Sequence, residues 1–321
     1  MLLKVRELST LALLILVIAV TAIKEPRFLG SGSVESVLLW IPLLAVVGIG
    51  QMMVIVTRGI DVSVGSMVGL TAMAAGMVFR SSPGLPVPVV TLIAIAVGLA
   101  AGAINGGLIA YAKIPPIITT LGTLSAFRGL VFILSSGKQV DSNDLPDALA
   151  NWTLHGPVTI FGVNLSWLFV ISLVVMGVFA WVLKQTRFGR NVFAFGSNPN
   201  AARLRGVNTA KTEFWVYALT GALCGLGGVM YASRFAFVNP ASAGQGLELV
   251  IIAAVVIGGT NIIGGSGSVL GILLGCTLLG TINVALSVTK VDATWQSMIY
   301  GLVILVAVVI DAALRKRMVA T

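Results

Sequence analysis

Long apolar runs recur along the chain with short polar breaks between them, and this rhythm fixes the class of protein before any motif is read. A helix that crosses the hydrocarbon core of a bilayer needs about 20 mostly apolar residues, each rising about 1.5 Å. Ten segments fit: residues 8–23, 36–57, 62–80, 87–112 and 115–134 in the first half, and 165–183, 215–236, 247–263, 267–288 and 293–312 in the second. Backbone polar groups in lipid must be satisfied internally, so helices are the expected element. A β-barrel would alternate apolar and polar residues, whereas these runs are continuous. Glycine and serine crowd one end of the third, eighth and ninth segments, which makes them the weakest of the set. The expectation is an all-α polytopic membrane protein of about ten transmembrane helices, with residues 1–321 forming a single transmembrane domain.

Composition agrees. Apolar residues make up 57% of the chain and charged ones 10%, beside 37 glycines. A water-soluble domain carries about a quarter charged residues, so this chain has too few to coat a surface in water. A formal charge of +9 raises the question of nucleic acid, but the placement of the cations answers it differently. With a cytoplasmic amino terminus and ten crossings, thirteen fall on the cytoplasmic side: Lys4, Arg6, Arg58, Lys113, Lys184, Arg187, Arg190, Arg203, Arg205, Lys211, Arg315, Lys316 and Arg317. Six fall opposite (Lys24, Arg27, Arg80, Lys138, Arg234 and Lys290), and Arg128 lies within a span. That asymmetry is the positive-inside signal. It predicts both termini in the cytoplasm, lipid as the surrounding partner and no nucleic acid. The first span ends in Val20-Thr21-Ala22, faintly like a cleavage site; the charged flank at 24–27 favours a retained anchor.

Two hydrophilic intervals interrupt the pattern. Residues 135–164, on the outer side, carry Asp141, Asp144, Asp147 and the single histidine, His155. Residues 184–212, on the cytoplasmic side, are basic and too long for a simple connector. Within them, 198–206 reads as a short helix, with Asn198 as its cap, Pro199 in its first turn and Gly206 ending it. Such a helix either lies on the membrane surface or docks a partner protein. A weak internal echo links Gly65-Ser66-Met67-Val68-Gly69 with Gly267-Ser268-Val269-Leu270-Gly271, as transporter repeats do.

The inventory of reactive groups argues against an enzyme. No lysine carries both glycines of a phosphate-binding loop before it, and a single histidine cannot make a metal pair. Cys224 and Cys276 sit in apolar spans as small packing residues. No Asp or Glu lies deep in a span, so a proton relay is not expected, although sodium held by backbone carbonyls stays open. Arg128 either snorkels outward or lines a polar path. Glycines spaced four apart, at 98/102/106, 221/225 and 267/271/275, allow close helix approach. Gln51, Asn105, Asn283 and Gln296 are uncharged polar groups in or near spans. They either line a passage for a neutral hydroxylated solute or bond helix to helix. An ion-coupled carrier or passive channel is the competing class.

Specific strings then resemble a family, the permease subunits of bacterial ABC importers for monosaccharides (the ribose, xylose and rhamnose group). They are Thr57-Arg58-Gly59-Ile60-Asp61-Val62-Ser63-Val64-Gly65-Ser66; Lys113-Ile114-Pro115-Pro116 with Thr120-Leu121-Gly122-Thr123 and Phe127-Arg128-Gly129; Phe188-Gly189-Arg190 with Gly196-Ser197-Asn198; Ala201-Ala202-Arg203-Leu204-Arg205-Gly206; and Gly244-Gln245-Gly246-Leu247-Glu248 followed by Val256-Ile257-Gly258-Gly259-Thr260 and Gly264-Gly265. They run in order over nearly the whole chain. Thr57-Arg58 and Leu121-Gly122-Thr123-Leu124 look closest to the rhamnose and autoinducer-2 branch.

The resemblance implies an importer permease of the ribose/vitamin B12 type in a bacterial inner membrane. Its partners would be a second permease subunit, an ATPase that holds the ATP and magnesium, and a periplasmic sugar-binding protein; no cofactor or metal belongs to this chain. Asn198, Ala201, Ala202, Arg203, Arg205 and Gly206 would form the element that couples to the ATPase. Asp61, Ser63, Gln51, Asn105 and Asn283 would serve a cytoplasmic gate or pathway, with a helix cap as the competing role of Asp61 and Ser63. Glu248 would dock the binding protein or favour its own helix terminus. The solute expected is a rhamnose- or ribose-like sugar, with autoinducer-2 as the alternative.

Overall fold

A computed structural model describes residues 2–292 together with 295, 298, 299, 301, 302 and 305. Eight helices among them are long and apolar enough to cross a membrane. In chain order they are α1 (Leu2–Lys24), α2 (Ser31–Val56), α3 (Val64–Ser81), α4 (Val87–Ala110), α5 (Pro116–Ser135), α7 (Trp167–Gln185), α10 (Thr209–Phe235) and α12 (Val269–Val288). Four shorter helices complete the set: α6 (Asp147–Leu154), α8 (Arg187–Ser197), α9 (Pro199–Leu204) and α11 (Leu247–Ile257). The expected tenth span, 293–312, with Gln296 in it, and the basic cluster Arg315, Lys316 and Arg317 fall outside the described residues but for the isolated positions named above.

The eighth expected span is corrected. Residues 247–263 do not form one crossing helix, because α11 is an 11-residue helix that ends at Gly258. Its length of about 17 Å covers roughly half of a hydrocarbon core about 30 Å thick. The apolar run continues past Ile257, but Gly259 (φ 90°), Gly264 (φ 97°) and Gly265 (φ 79°) take backbone angles that end a helix. The chain turns back through 258–268 into α12. Hydropathy cannot register that break, since glycine is neither polar nor charged.

The bundle is built around α2. From Ile41 to Val56 every residue of α2 is buried, as expected for a helix that is apolar all round. It packs against α10, α12, α7 and α11. The closest seam joins α4 to α10. There the Gly98, Gly102, Gly221 and Gly225 backbones meet directly: a methyl on Gly98 would collide with the Gly221 carbonyl, and one on Gly221 with the Gly98 carbonyl. The four-residue glycine spacing thus does what the sequence suggests. Thr71 of α3 ties in by donating to the Cys224 carbonyl at 3.0 Å.

One end of the bundle carries Arg58, α8 and α9; the other carries residues 136–166. At that second end a small hairpin departs from the all-helical expectation. β1 (Val158–Ile160) pairs antiparallel with β2 (Val163–Leu165) around a turn in which Phe161 (φ 51°) and Gly162 (φ 78°) are both left-handed, the signature of a two-residue hairpin. Glu35 fastens it to α2 by accepting from the Asn164 amide at 2.7 Å. Val140 bridges to Val238, and Arg80 clasps Asp144 at 2.6 Å. The half-exposed Arg80 guanidinium holds the Asp144 carboxyl below the usual carboxylate range.

Candidate functional site

Residues 57–63 leave α2 and fold back beside it before α3 begins. Gln51, buried in α2, has its amide placed against the Asp61 backbone. With the nitrogen toward the Asp61 carbonyl (3.1 Å) and the oxygen toward the Asp61 amide (3.3 Å), it satisfies both. The Asp61 carboxylate accepts from the Ser63 amide at 2.8 Å and from the Ser63 hydroxyl at 2.6 Å. Asn105 of α4 donates to the same hydroxyl at 2.9 Å, and Thr120 of α5 donates to the Ile60 carbonyl at 3.3 Å. Four helices are thereby knotted at one turn, and Asp61, Ser63, Gln51 and Asn105 are all fully buried.

Of the two roles expected for Asp61, helix cap and pathway contact, its bonds describe the first. Asp61 receives the Ser63 amide at the head of α3, while Ser63 occupies the cap position with no side-chain bond into the helix, its carbonyl accepting from the Met67 amide at 2.8 Å. Among the described residues, Asp61 Oδ2, Asn105 Oδ1 and the Tyr217 hydroxyl are buried without a hydrogen-bond partner.

Asn283 lies elsewhere. It joins Trp40 in two adjoining cavities between α2 and α12. The first, about 560 Å³, is lined also by Arg27, Ser33, Ser36 and Arg234. The second, about 340 Å³, adds Leu44 and Gln245 and ends against the start of α11, level with the middle of α2. Both fall in the size range of small-molecule sites, about 300–1,000 Å³. The Arg234 guanidinium covers the Trp40 ring at 4.1 Å.

The chain therefore descends from Val238, at one end, to the middle of the bundle before α11 starts. Arg128 resolves here as a brace, donating to the Ala243 carbonyl of this descending segment at 2.7 Å. Glu248 sits in the first turn of α11 with one carboxylate oxygen buried against Gly65. That position fits a helix terminus inside the bundle rather than an exposed docking point.

At the Arg58 end, the short helix appears with the caps its sequence suggests. The Asn198 side chain accepts from the Ala201 amide at 3.0 Å, and Gly206 follows the helix at φ 79°. Ala202 turns into the bundle, while Ala201, Arg203, Leu204 and Arg205 face outward. Arg203 is tied back to Thr209 at 3.1 Å. Leu204 is 90% exposed. Nothing in the sequence marks Trp40, and Gln245 and Leu204 stand out there only as members of longer strings; an isolated leucine between two arginines is the one local signal among the three.

Comparison with known proteins gives this geometry its family. Residues 33–308 match the model described as branched-chain amino acid transport system / permease component. A Photorhabdus luminescens protein named autoinducer 2 import system permease protein LsrC is 37% identical over 310 residues, covering 97% of this chain and 91% of its own length. The proteins of that name from Escherichia coli O9:H4 (strain HS) and Enterobacter sp. (strain 638) are 37% and 38% identical, covering 97% and 98% of this chain and 88% and 89% of theirs. No solved structure matches. With the match running through the α2 column, the Asp61 turn and the capped α9, the chain belongs to this family of multi-pass bacterial import permeases.

Proposed function

We propose that this permease provides the membrane route of an ABC importer for a small hydroxylated solute of the monosaccharide class, autoinducer 2 first among the candidates. It lowers a barrier and performs no covalent chemistry. A separate ATPase, holding ATP and magnesium, docks on α9 at the Arg58 end, which faces the cytoplasm with both termini. A solute-binding protein delivers from the opposite end, and a second permease subunit completes the passage. Trp40, Asn283 and Gln245 supply an aromatic surface and two amides along the cavities that open there. That mixture suits a ring bearing hydroxyls, and the only charges beside it are the cationic Arg27 and Arg234 of the outer cavity among the described residues, with no carboxylate in either lining. ATP-driven closure of the partner moves α9 and rocks the bundle between two open states.

One observation carries this reading. A rigidly capped helix of six residues presents Leu204, 90% exposed, between two arginines at the basic end. An apolar knob with a cationic rim is a docking element. The test reconstitutes the permease in vesicles with its ATPase and binding protein and measures uptake of autoinducer 2, ribose and rhamnose. Uptake that needs ATP hydrolysis, and an Ala201→Asp or Leu204→Asp variant that weakens ATPase co-purification by about tenfold, support it. Uptake by the chain alone, downhill or with an ion gradient, favours a carrier or channel instead.

A further inference from the structure

Arg58 takes a left-handed backbone conformation, φ 70°, just after α2 ends. Glycine is the usual residue there, because a Cβ is unfavourable in that region. What the side chain does explains its presence. Nε donates to the Gly196 carbonyl and Nη2 to the Ser197 carbonyl, each at 2.7 Å. Those carbonyls belong to the last turn of α8, where backbone acceptors have no partner within the helix. A charged fork that satisfies both is a strong, directional grip. Arg58 thus terminates α2 with its backbone and α8 with its side chain.

The surroundings leave no slack. The Gly265 amide donates to the Val56 carbonyl at 2.9 Å. A methyl on Gly196 would collide with that same carbonyl, and one on Gly264 or Gly265 would meet Arg58 or Ser197. Three chain segments (the end of α2, the end of α8 and the turn at 261–266) therefore touch backbone to backbone around one guanidinium. Ser197 is adjacent to Asn198, the cap of α9. On the other side, Arg58 is followed within three residues by Asp61, whose turn binds α2, α3, α4 and α5 together.

We propose that Arg58 is a positioning residue that links the docking helix to the pathway: displacement of α8 and α9 pulls on the Gly196 and Ser197 carbonyls, and Arg58 delivers that motion to the Asp61 turn and, through Gly265, to the loop before α12. This rests on the transport reading above. It adds the specific strut by which motion at α9 reaches the helices.

The experiment measures solute imported per ATP hydrolysed by the full complex in vesicles, using whichever of autoinducer 2, ribose and rhamnose the parent complex carries. Arg58→Gly suits the left-handed backbone and removes only the grip; its ratio falls by about tenfold, within the range of coupling between distant sites. Arg58→Lys reaches one carbonyl at a time and falls by about threefold. A structural brace alone would change yield and leave the ratio intact. A ratio within about twofold of the parent in both variants, or a junction so essential that neither variant inserts, overturns the assignment. If the parent complex itself couples no ATP to uptake, the transport reading fails first, and that outcome is distinct from a working parent with an indifferent Arg58.

Discussion

Two regions of this bundle use glycine for opposite ends. In the α4–α10 seam, Gly98, Gly102, Gly221 and Gly225 have ordinary helical backbones and are needed because nothing wider fits between two helices. In the stretch after α11, Gly259, Gly264 and Gly265 take left-handed angles and stop a helix in the middle of an apolar run. The first arrangement locks two crossing helices into one body, since close-packed interiors yield little. The second leaves a half-length helix whose ends are loops. A transporter needs both: rigid bodies to move, and bends where they join.

Damage to the seam costs the most stability. Gly221→Leu forces a side chain into the Gly98 and Gly102 backbone, at a cost of about 3 kcal/mol or more; thermal unfolding of the detergent-solubilised chain reads it. Gly107→Leu, on the same α4 helix where a Cβ meets no atom within 4 Å, sharpens the contrast. It shifts stability by no more than about 0.5 kcal/mol. Next comes the knot between the two regions. Asp61→Ala strips the Ser63 amide and hydroxyl of their buried acceptor and costs about 2 kcal/mol, whereas Asp61→Asn retains an acceptor and costs less in the same unfolding assay.

The bent region responds more locally. Gly265→Ala places a Cβ at φ 79°, worth about 1–2 kcal/mol, and hydrogen exchange across residues 258–268 rises while the seam stays protected. The smallest effect is at the opposite end. Because Arg80 lowers the Asp144 pKa, the clasp stabilises the folded chain above the unfolded carboxylate pKa of about 4. That contribution fades as pH falls through the lower folded value. Protection over 138–146, taken relative to the intrinsic exchange rate at each pH, therefore falls at acid pH, and Asp144→Asn removes that fall.

Periodic apolar length was enough to find the eight crossing helices, and the glycine spacing was enough to find the seam, because both depend on local pattern. Asn198 and Gly206 marked the short helix for the same reason: caps are local chemistry. The failure at 247–263 has a physical cause, since an apolar strip that bends through positive-φ glycines has the hydropathy of a straight one. Among the candidate site residues, the grouping of Asp61, Ser63, Gln51 and Asn105 was visible only as a set of polar residues. Their mutual bonding depends on α2, α4 and α5 converging on one turn. Arg58 was legible as a cytoplasmic cation and as part of a family string, but not as a strut, because its left-handed backbone and its grip on α8 arise from tertiary contact.

The most direct test of the account places the permease, its binding protein and its ATPase in vesicles and follows accumulation of autoinducer 2, ribose and rhamnose against a gradient. The expected result is uphill uptake that requires a hydrolysing ATPase and disappears when that subunit is inactivated or omitted. Uphill uptake by the permease without it would contradict the central claim.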